Sequence, residues 1–456
     1  MKGTASTSQT INRHLWQTFT MEETMKKQPA TSKQMRNLYL SIILALGLLL
    51  GACSQQPLPN IRDEAELTTQ GGSALGGALD ATVNKHAKNA SIALYSGNPI
   101  VAFTQDQGNF KSSIFVRRWV GVGSIGSWQW LLDSDTGVLN ETSYGGSTSI
   151  AADGTGNPIV AFSDGSHNAD IRVKRWNGSD WKYLSTCAQT LKGSLQYAIA
   201  PSLALNSSSN PTVAYMGAAT LGGNRSIYVK TCGPALGPPW GFSWWNLSAL
   251  SGNANGGLTT NDAANPSLVL DSSGNPIVAY QEKVGSSWNL KVKRLKGATW
   301  ESLGSSVDKS QFNDAEKPSL FMKSNILTVA WQEKVNGNYN IYVRAWSESQ
   351  KKWLDVWGSS PLDLSSSRSA ENPSLAWGSL GPVVSWQETL NNGNQAVFAK
   401  RWGAFGWSTI EGYDSLIDNI LDAENPAIAT DSSGTAFIAF DQGVSTIQHD
   451  VFVRSY

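Results

Sequence analysis

The chain has 456 residues, with 35 Lys+Arg against 35 Asp+Glu, four His, three Cys and 19 Trp. Charged residues make up 15% and apolar ones 40%, which marks a folded protein and excludes a disordered tail. Balanced charge excludes a nucleic-acid surface, which needs a basic excess to displace counterions. The scattered His and Cys have no metal-ligand spacing, so no metal or other cofactor is expected.

Residues 38–52 read LYLSIILALGLLLGA behind Lys26, Lys27, Lys33 and Arg36, a basic region followed by the apolar core of an export signal. The run has 15 residues, shorter than the about 20 that span a bilayer. Leu50-Gly51-Ala52-Cys53 resembles the lipobox of bacterial lipoproteins. That resemblance implies cleavage before Cys53 and acylation of Cys53, making membrane lipid the partner of the mature terminus. The basic region begins late, which points to Met21 or Met25 as the true start. Ser54, following the Cys, implies by the same resemblance the outer membrane if the host is Gram-negative, and in any case the bacterial cell envelope. Residues 1–52 are therefore expected to be a signal peptide, and 53–71, polar and rich in Gln, Pro, Thr and Gly, a flexible tether. The mature chain would hold 29 basic and 33 acidic residues.

From residue 72 onward one motif recurs. The segment Pro276-Ile277-Val278-Ala279-Tyr280 returns in altered form with its aromatic at Phe103, Phe162, Tyr215, Tyr280, Trp331, Trp386 and Phe440, at intervals of 51 to 65 residues. Each copy holds four short alternating or β-branched pieces separated by turn residues, such as Asp271-Ser272-Ser273-Gly274. Seven units of four antiparallel strands predict an all-β, seven-bladed β-propeller over 72–456, because one blade cannot bury both faces of its sheet and a ring can. The seventh copy stops at its third strand, so the missing strand should come from 72–76, pairing with the C-terminal blade.

Trp119, Trp176, Trp346 and Trp402 end third strands, and Trp181, Trp300, Trp353 and Trp407 open fourth strands. Recurrence in register favours packing between blades over a sugar platform. Two residues before the first Trp slot stands a base in every copy: Arg117, Lys174, Lys230, Lys293, Arg344, Lys400 and Arg454. Their stems are expected to cover aromatic faces while their heads meet carbonyls or carboxylates.

The candidate functional surface is the face carrying the loops after strand two and before strand one, which converge on the channel mouth. Carboxylates gather there: Glu282, Glu333, Glu388 and Asp164 after strand two, Glu371 and Glu424 before strand one. Trp288 and Tyr339 could stack against a ligand. Such groups suit sugar hydroxyls, although Asp and Asn also cap turns. Cys187 and Cys232 should lie near opposite faces, one after a fourth strand and the other ending a third, so two free thiols are expected.

In outline the repeat resembles sialidase-like and lectin-like propellers. The sialidase resemblance implies three Arg, a Tyr–Glu pair and an Asp acid, with Asp-box turns between strands three and four. Here the Asp-Ser-Ser-Gly turns at 271–274 and 431–434 fall between strands one and two, and no arginine triplet maps onto the mouth. His86, His167 and His449 sit in unrelated contexts without a Gly-x-Ser-x-Gly elbow, so no catalytic residue is assigned. The chain thus reads as a monomeric, lipid-anchored, non-catalytic binding propeller with a glycan or envelope-protein ligand. An envelope-assembly scaffold and a sialidase-like glycoside hydrolase are the alternatives.

Overall fold

The computed structural model describes residues 72–80 and 85–456, apart from positions 167, 185–186, 188–190, 235–241, 248, 250–256, 306, 412–421 and 446–447. The expected signal, Cys53 and the tether lie outside the described residues. The chain opens with β1 (Ser73–Ala74). Blade 1 is β2 (Ala87–Tyr95), β3 (Asn98–Gly108), β4 (Lys111–Val122) and β5 (Ile125–Trp130). Blade 2 is β6 (Gly145–Ala152), β7 (Pro158–Asp164), β8 (Asp170–Trp176) and β9 (Trp181–Tyr183). Blade 3 is β10 (Tyr197–Leu205), β11 (Pro211–Ala218), β12 (Ser226–Pro234) and β13 (Phe242–Asn246). Blade 4 is β14 (Ala263–Leu270), β15 (Pro276–Val284), β16 (Ser287–Lys296) and β17 (Thr299–Ser302). Blade 5 is β18 (Ala315–Lys323), β19 (Ile326–Val335), β20 (Asn338–Ser347) and β21 (Lys352–Leu354). Blade 6 is β22 (Ala370–Trp377), β23 (Pro382–Thr389), β24 (Gln395–Gly403) and β25 (Gly406–Glu411). Blade 7 is β26 (Ala423–Thr430), β27 (Ala436–Ser445) and β28 (Gln448–Ser455), completed by β1.

These are seven four-stranded antiparallel sheets, the seven-bladed propeller that the repeat predicts. Strand direction alternates, so the turns joining strands one to two and three to four lie on one face. The turns joining strands two to three, and the lead-in loops before strand one, lie on the other. Second strands are buried on both sides, as in Pro158–Asp164, because each is covered by the neighbouring blades. The core clusters accordingly span pairs of blades: Ile277 and Val292 of blade 4 pack with Leu320, Trp331 and Trp353 of blade 5.

The recurrent Trp residues occupy these seams. Trp176–Trp181, Trp346–Trp353 and Trp402–Trp407 form pairs with ring centroids 5.5–5.6 Å apart, and Trp119 pairs likewise with Trp128 at 5.4 Å. The indoles that open fourth strands also donate to carbonyls preceding their own blades. Trp181 reaches Leu131 O at 2.7 Å, Trp300 Leu247 O at 2.9 Å and Trp353 Leu303 O at 2.8 Å. The basic positions pin lead-in loops in the same way. Lys230 Nζ donates to Leu191 O at 2.6 Å, Lys293 Nζ to Leu258 O at 2.8 Å and Arg344 Nη1 to Val307 O at 2.7 Å. Lys174 instead meets the Asp133 carboxylate at 3.1 Å. Both groups act as structural parts, stem on aromatic face and polar head on a fixed acceptor.

Nearest the axis, every first strand is bulged one to three residues after its start, between Lys88 and Ser91, Gly145 and Thr148, Ile199 and Ser202, Ala264 and Ser267, Glu316 and Ser319, Glu371 and Ser374, and Glu424 and Ala427. In six blades the bulged residue has φ of 51–55°: Asn89, Ala200, Asn265, Lys317, Asn372 and Asn425. Asn tolerates this left-handed conformation better than other residues bearing a Cβ. Where Asn stands in blades 4, 6 and 7, its Nδ2 also donates to its own second strand, to Gln281 at 2.7 Å, Gln387 at 2.9 Å and Asp441 at 2.9 Å. Lys317 of blade 5 has the strain without that bond. Lys317→Asn is therefore expected to raise stability by about 1 kcal/mol in a denaturant titration; a destabilised variant would contradict the bulge account.

Closure is as the repeat requires. Ser73 pairs with Ser455 and Ala74 with Arg454, and the Leu75 and Leu79 amides donate to Val453 O and Val451 O at 3.0 and 2.8 Å. Leu75 and Leu79 are wholly buried among Phe103, Trp119, Phe437 and Val453. Deleting residues 451–456 removes the partner of both β27 and β1. Such a chain should lose its cooperative melting transition, and an unchanged transition measured by circular dichroism would refute closure by this latch.

The expectation of two thiols is overturned: Cys187 and Cys232 form a disulfide, with Cα atoms 6.1 Å apart. The expectation assumed a full fourth strand carrying Cys187 to the far face. β9 has only three residues, about 10 Å of rise, and a turn follows at once, the Cys187 amide donating to Leu184 O at 2.9 Å. Leu191 is held at β12 as well, its carbonyl accepting from Lys230 Nζ two residues before Cys232.

Candidate functional site

The bulges line an open axial cavity of about 400 Å³, ringed by Asn89, Ser147, Asn265, Lys317, Asn372 and Asn425. Side chains of second strands hold its wall together by accepting the bulge amide of the following blade. Gln281 Oε1 accepts from Lys317 N at 3.1 Å, Gln332 Oε1 from Asn372 N at 2.8 Å and Gln387 Oε1 from Asn425 N at 2.9 Å. At the seam where the ring closes the same slot holds a carboxylate, and Asp441 Oδ2 accepts from Asn89 N at 3.1 Å. A second belt runs one step along the first strands, where Ser Oγ accepts the next blade's amide. Examples are Ser202 with Leu268, Ser267 with Leu320 and Ser319 with Leu375, at 2.9–3.0 Å.

Asp441 is 1% exposed, and its Oδ1 has no hydrogen-bond partner. Burial pushes its carboxyl up to about 7, opposed by the bonds from Asn425 and the Asn89 amide; Glu424 adds to the rise and Lys88 opposes it. The repeat carried the signal that would have found it. Asp441 directly follows the blade aromatic, in register with Gln281, Gln332 and Gln387.

The carboxylates expected at the mouth divide into two sets. Glu333 is wholly buried and accepts from Lys309 N at 2.8 Å, Ser310 N at 3.0 Å, Asn313 Nδ2 at 3.2 Å and Trp331 Nε1 at 3.0 Å. Glu388 repeats this on Leu364 N, Ser365 N and Trp386 Nε1 at 3.0–3.2 Å, with Arg368 at 3.5 Å, and burial raises its pKa. Asp164 holds Glu141 N at 3.1 Å and Thr142 N at 3.0 Å, with Arg172 at 3.0 Å. All three grip the lead-in loop of their own blade. Glu282 is half-buried and takes a longer bond, 3.3 Å, from Asn261 Nδ2.

Glu371 and Glu424 belong to the second set, at the rim beside the bulges. The Glu371 carboxyl is raised chiefly by burial, with Glu316 and Glu424 as negative neighbours and Lys317 and Lys334 opposing. Tyr339 joins this group through its hydroxyl, which donates to Glu316 at 3.2 Å. Trp288 lies apart, its ring faced by Arg225 at 5.6 Å and Lys283 at 5.2 Å. Neither aromatic is on a loop. Strands two and three run on to two-residue hairpins, so both residues sit near the starts of β16 and β20. The rim arginines are already paired, Arg225 with Asp262, Arg172 with Asp164 and Arg368 with Glu388. Among the described residues no group of three His, Cys, Asp or Glu could hold a metal ion. Exposed apolar tips ring the same face, Phe110 at 94%, Phe312 at 81% and Leu221 at 76%.

No family model matches the sequence, and no curated protein is similar to it. Among solved structures the chain is similar to a protein of unknown function from Dyadobacter fermentans, at 8% identity over 83% of this chain and 96% of that one, with a TM-score of 0.47. It is similar also to the Hadza microbial sialidase Hz136, at 9% identity over 81% and 65% of the two chains, TM-score 0.43. A third is Trypanosoma rangeli sialidase, at 12% identity over 81% and 55%, TM-score 0.38.

Asp441 makes a pH prediction. Folded, it keeps its proton up to about 7; unfolded, it releases it near about 4. Between those values the native state binds the extra proton, so this contribution is present at low pH and lost as pH rises. The denaturation midpoint should therefore fall from pH 5 to 8, and Asp441→Asn should flatten that fall and stabilise the protein at pH 8. Parallel profiles for the two proteins would exclude Asp441 as the group.

Proposed function

We propose that the chain is a lipid-anchored, non-catalytic binding propeller of the bacterial envelope whose channel mouth receives a glycan or an envelope-protein segment. The observation that carries this reading is the commitment of the mouth carboxylates: Glu333, Glu388 and Asp164 spend their oxygens on backbone amides of lead-in loops. A retaining glycosidase needs two available carboxyl groups about 5 Å apart, one of them a nucleophile. Carboxylates engaged this way serve as rigid anchors instead. What remains accessible around the cavity is amide, hydroxyl and the Lys317 ammonium, with the Glu316, Glu371, Glu424 and Tyr339 group beside it. Fixed donors and acceptors in a cavity of some 400 Å³ suit the hydroxyls of one or two sugar units or a short polar peptide. The exposed Phe110, Leu221 and Phe312 widen the surface available to a protein partner. Acylation of Cys53 rests on the lipobox resemblance and is read directly by the mass of the mature N-terminal peptide.

A glycan array and a membrane-protein pull-down decide between the two ligand classes. Lys317→Ala and Glu371→Ala should each weaken capture roughly 5- to 20-fold without lowering the melting temperature. Turnover of a fluorogenic glycoside that Glu371→Gln or Glu282→Gln abolishes would overturn the non-catalytic reading.

A further inference from the structure

The latch strand sets where the anchored end of the chain meets the propeller. β1 takes the fourth-strand place in blade 7, antiparallel to β28. It therefore starts on the face where third strands end, so Gly72 enters opposite the channel mouth, beside Tyr456.

That face carries its own exposed apolar groups, and their placement follows the entry point. Among the described residues its four most exposed large apolar side chains are Phe405 at 106%, Val122 at 86%, Ile125 at 83% and Leu380 at 63%. Val122 and Ile125 form the β4–β5 hairpin of blade 1, while Leu380 and Phe405 lie in the β22–β23 and β24–β25 turns of blade 6. Blades 1 and 6 are the two neighbours of blade 7, joined to it by Asn89 on Asp441 and by Arg401 on Gly434 O at 3.0 Å. The apolar tips thus flank the point where the tethered end enters. Charge on this face is mixed. Its carboxylates Asp153, Asp180, Glu301 and Glu348 are held by Arg175, Lys182, Arg294 and Lys351, while Asp271 and Asp431 accept from the amides and side chains of their own turns. Lys296 of blade 4 and Lys323 and Lys352 of blade 5 stand exposed on the same face.

We propose that this face rests on an anionic phospholipid surface through the hairpins of blades 1 and 6, so that the channel mouth is held away from the membrane. The proposal rests on the lipid-anchor reading, and three observations single out a membrane over a second copy of the chain. The 19 residues of 53–71 reach at most about 65 Å, so the flanking hairpins stay within reach of the bilayer that holds the acyl chains. A tether of that length gives an effective concentration on the order of millimolar, enough for a small apolar patch to engage. The exposed lysines of blades 4 and 5 outnumber the two carboxylates without a basic partner among the described residues of this face, Asp271 and Asp431, and can meet anionic headgroups, whereas a second copy brings the same mixture of charges.

The test uses the acylated full chain on vesicles of phosphatidylethanolamine and phosphatidylglycerol, with millisecond hydrogen–deuterium exchange. Amides at 121–126, 378–381 and 403–406 should exchange several-fold more slowly than in a Val122→Ser, Ile125→Ser, Phe405→Ser variant on the same vesicles. Those at 108–111 and 219–224, on the mouth face, should be equal in the two. All three substitutions sit on exposed tips, and an unchanged melting curve verifies that the variant folds. On phosphatidylcholine vesicles the protection should shrink, and undiminished protection there would overturn the anionic preference. Equal exchange in parent and variant, or protection of the mouth hairpins, would overturn the docking. If Cys53 carries no acyl group the anchor reading fails by itself. Coupling Cys53, the one cysteine outside the disulfide, to a maleimide lipid then puts the docking question unchanged.

Discussion

A hydrogen bond from the backbone of one blade to a side chain of the blade before it organises the inner ring. The donor is the amide of a left-handed bulge residue such as Lys317, Asn372, Asn425 or Asn89, and the acceptor is the residue after the preceding blade's aromatic, Gln281, Gln332, Gln387 or Asp441. A bulge frees an amide from its own ladder, and an amide facing a narrow channel needs an acceptor. Supplying it from the neighbouring blade satisfies the group and sets the spacing of the sheets. The cavity, its amide lining and the positions of the rim residues all follow from that spacing. At the closing seam the acceptor is a buried carboxyl, so this link is the one in the belt that responds to protons.

The outer ring follows the same logic with different chemistry. Fourth-strand indoles such as Trp181 and Trp353 and third-strand bases such as Lys230 and Lys293 take carbonyls from the segments leading into or between blades. Mouth carboxylates take the amides of lead-in loops. Long connections carry many backbone groups that no sheet satisfies, and charged side chains do so with short, directional bonds. That requirement explains why Glu333, Glu388 and Asp164 recur at the mouth as loop anchors.

Much of this architecture could be read from the residues. The spacing of the seven aromatics, the four alternating segments per copy and the missing strand supplied from 72–76 together specify blade count, sheet order and closure, because strand pairing within a blade is local and its hydrophobic period is short. The seam-filling role of the recurrent Trp and the carbonyl-seeking heads of the basic positions were legible for the same reason: a packing residue must repeat, so register exposes it.

The fate of individual polar groups was not legible. Sequence placed Glu333, Glu388, Glu371 and Glu424 on one face, but only the fold separated two loop anchors from two rim residues, since that depends on which amides the lead-in loops present. It likewise placed Cys187 and Cys232 on opposite faces, whereas the three-residue β9 and the turn after it bring their Cα atoms to 6.1 Å. Periodicity within a strand is a one-dimensional property and survives in the sequence; contact across a seam depends on strand length and loop path, which are settled only when neighbouring blades pack.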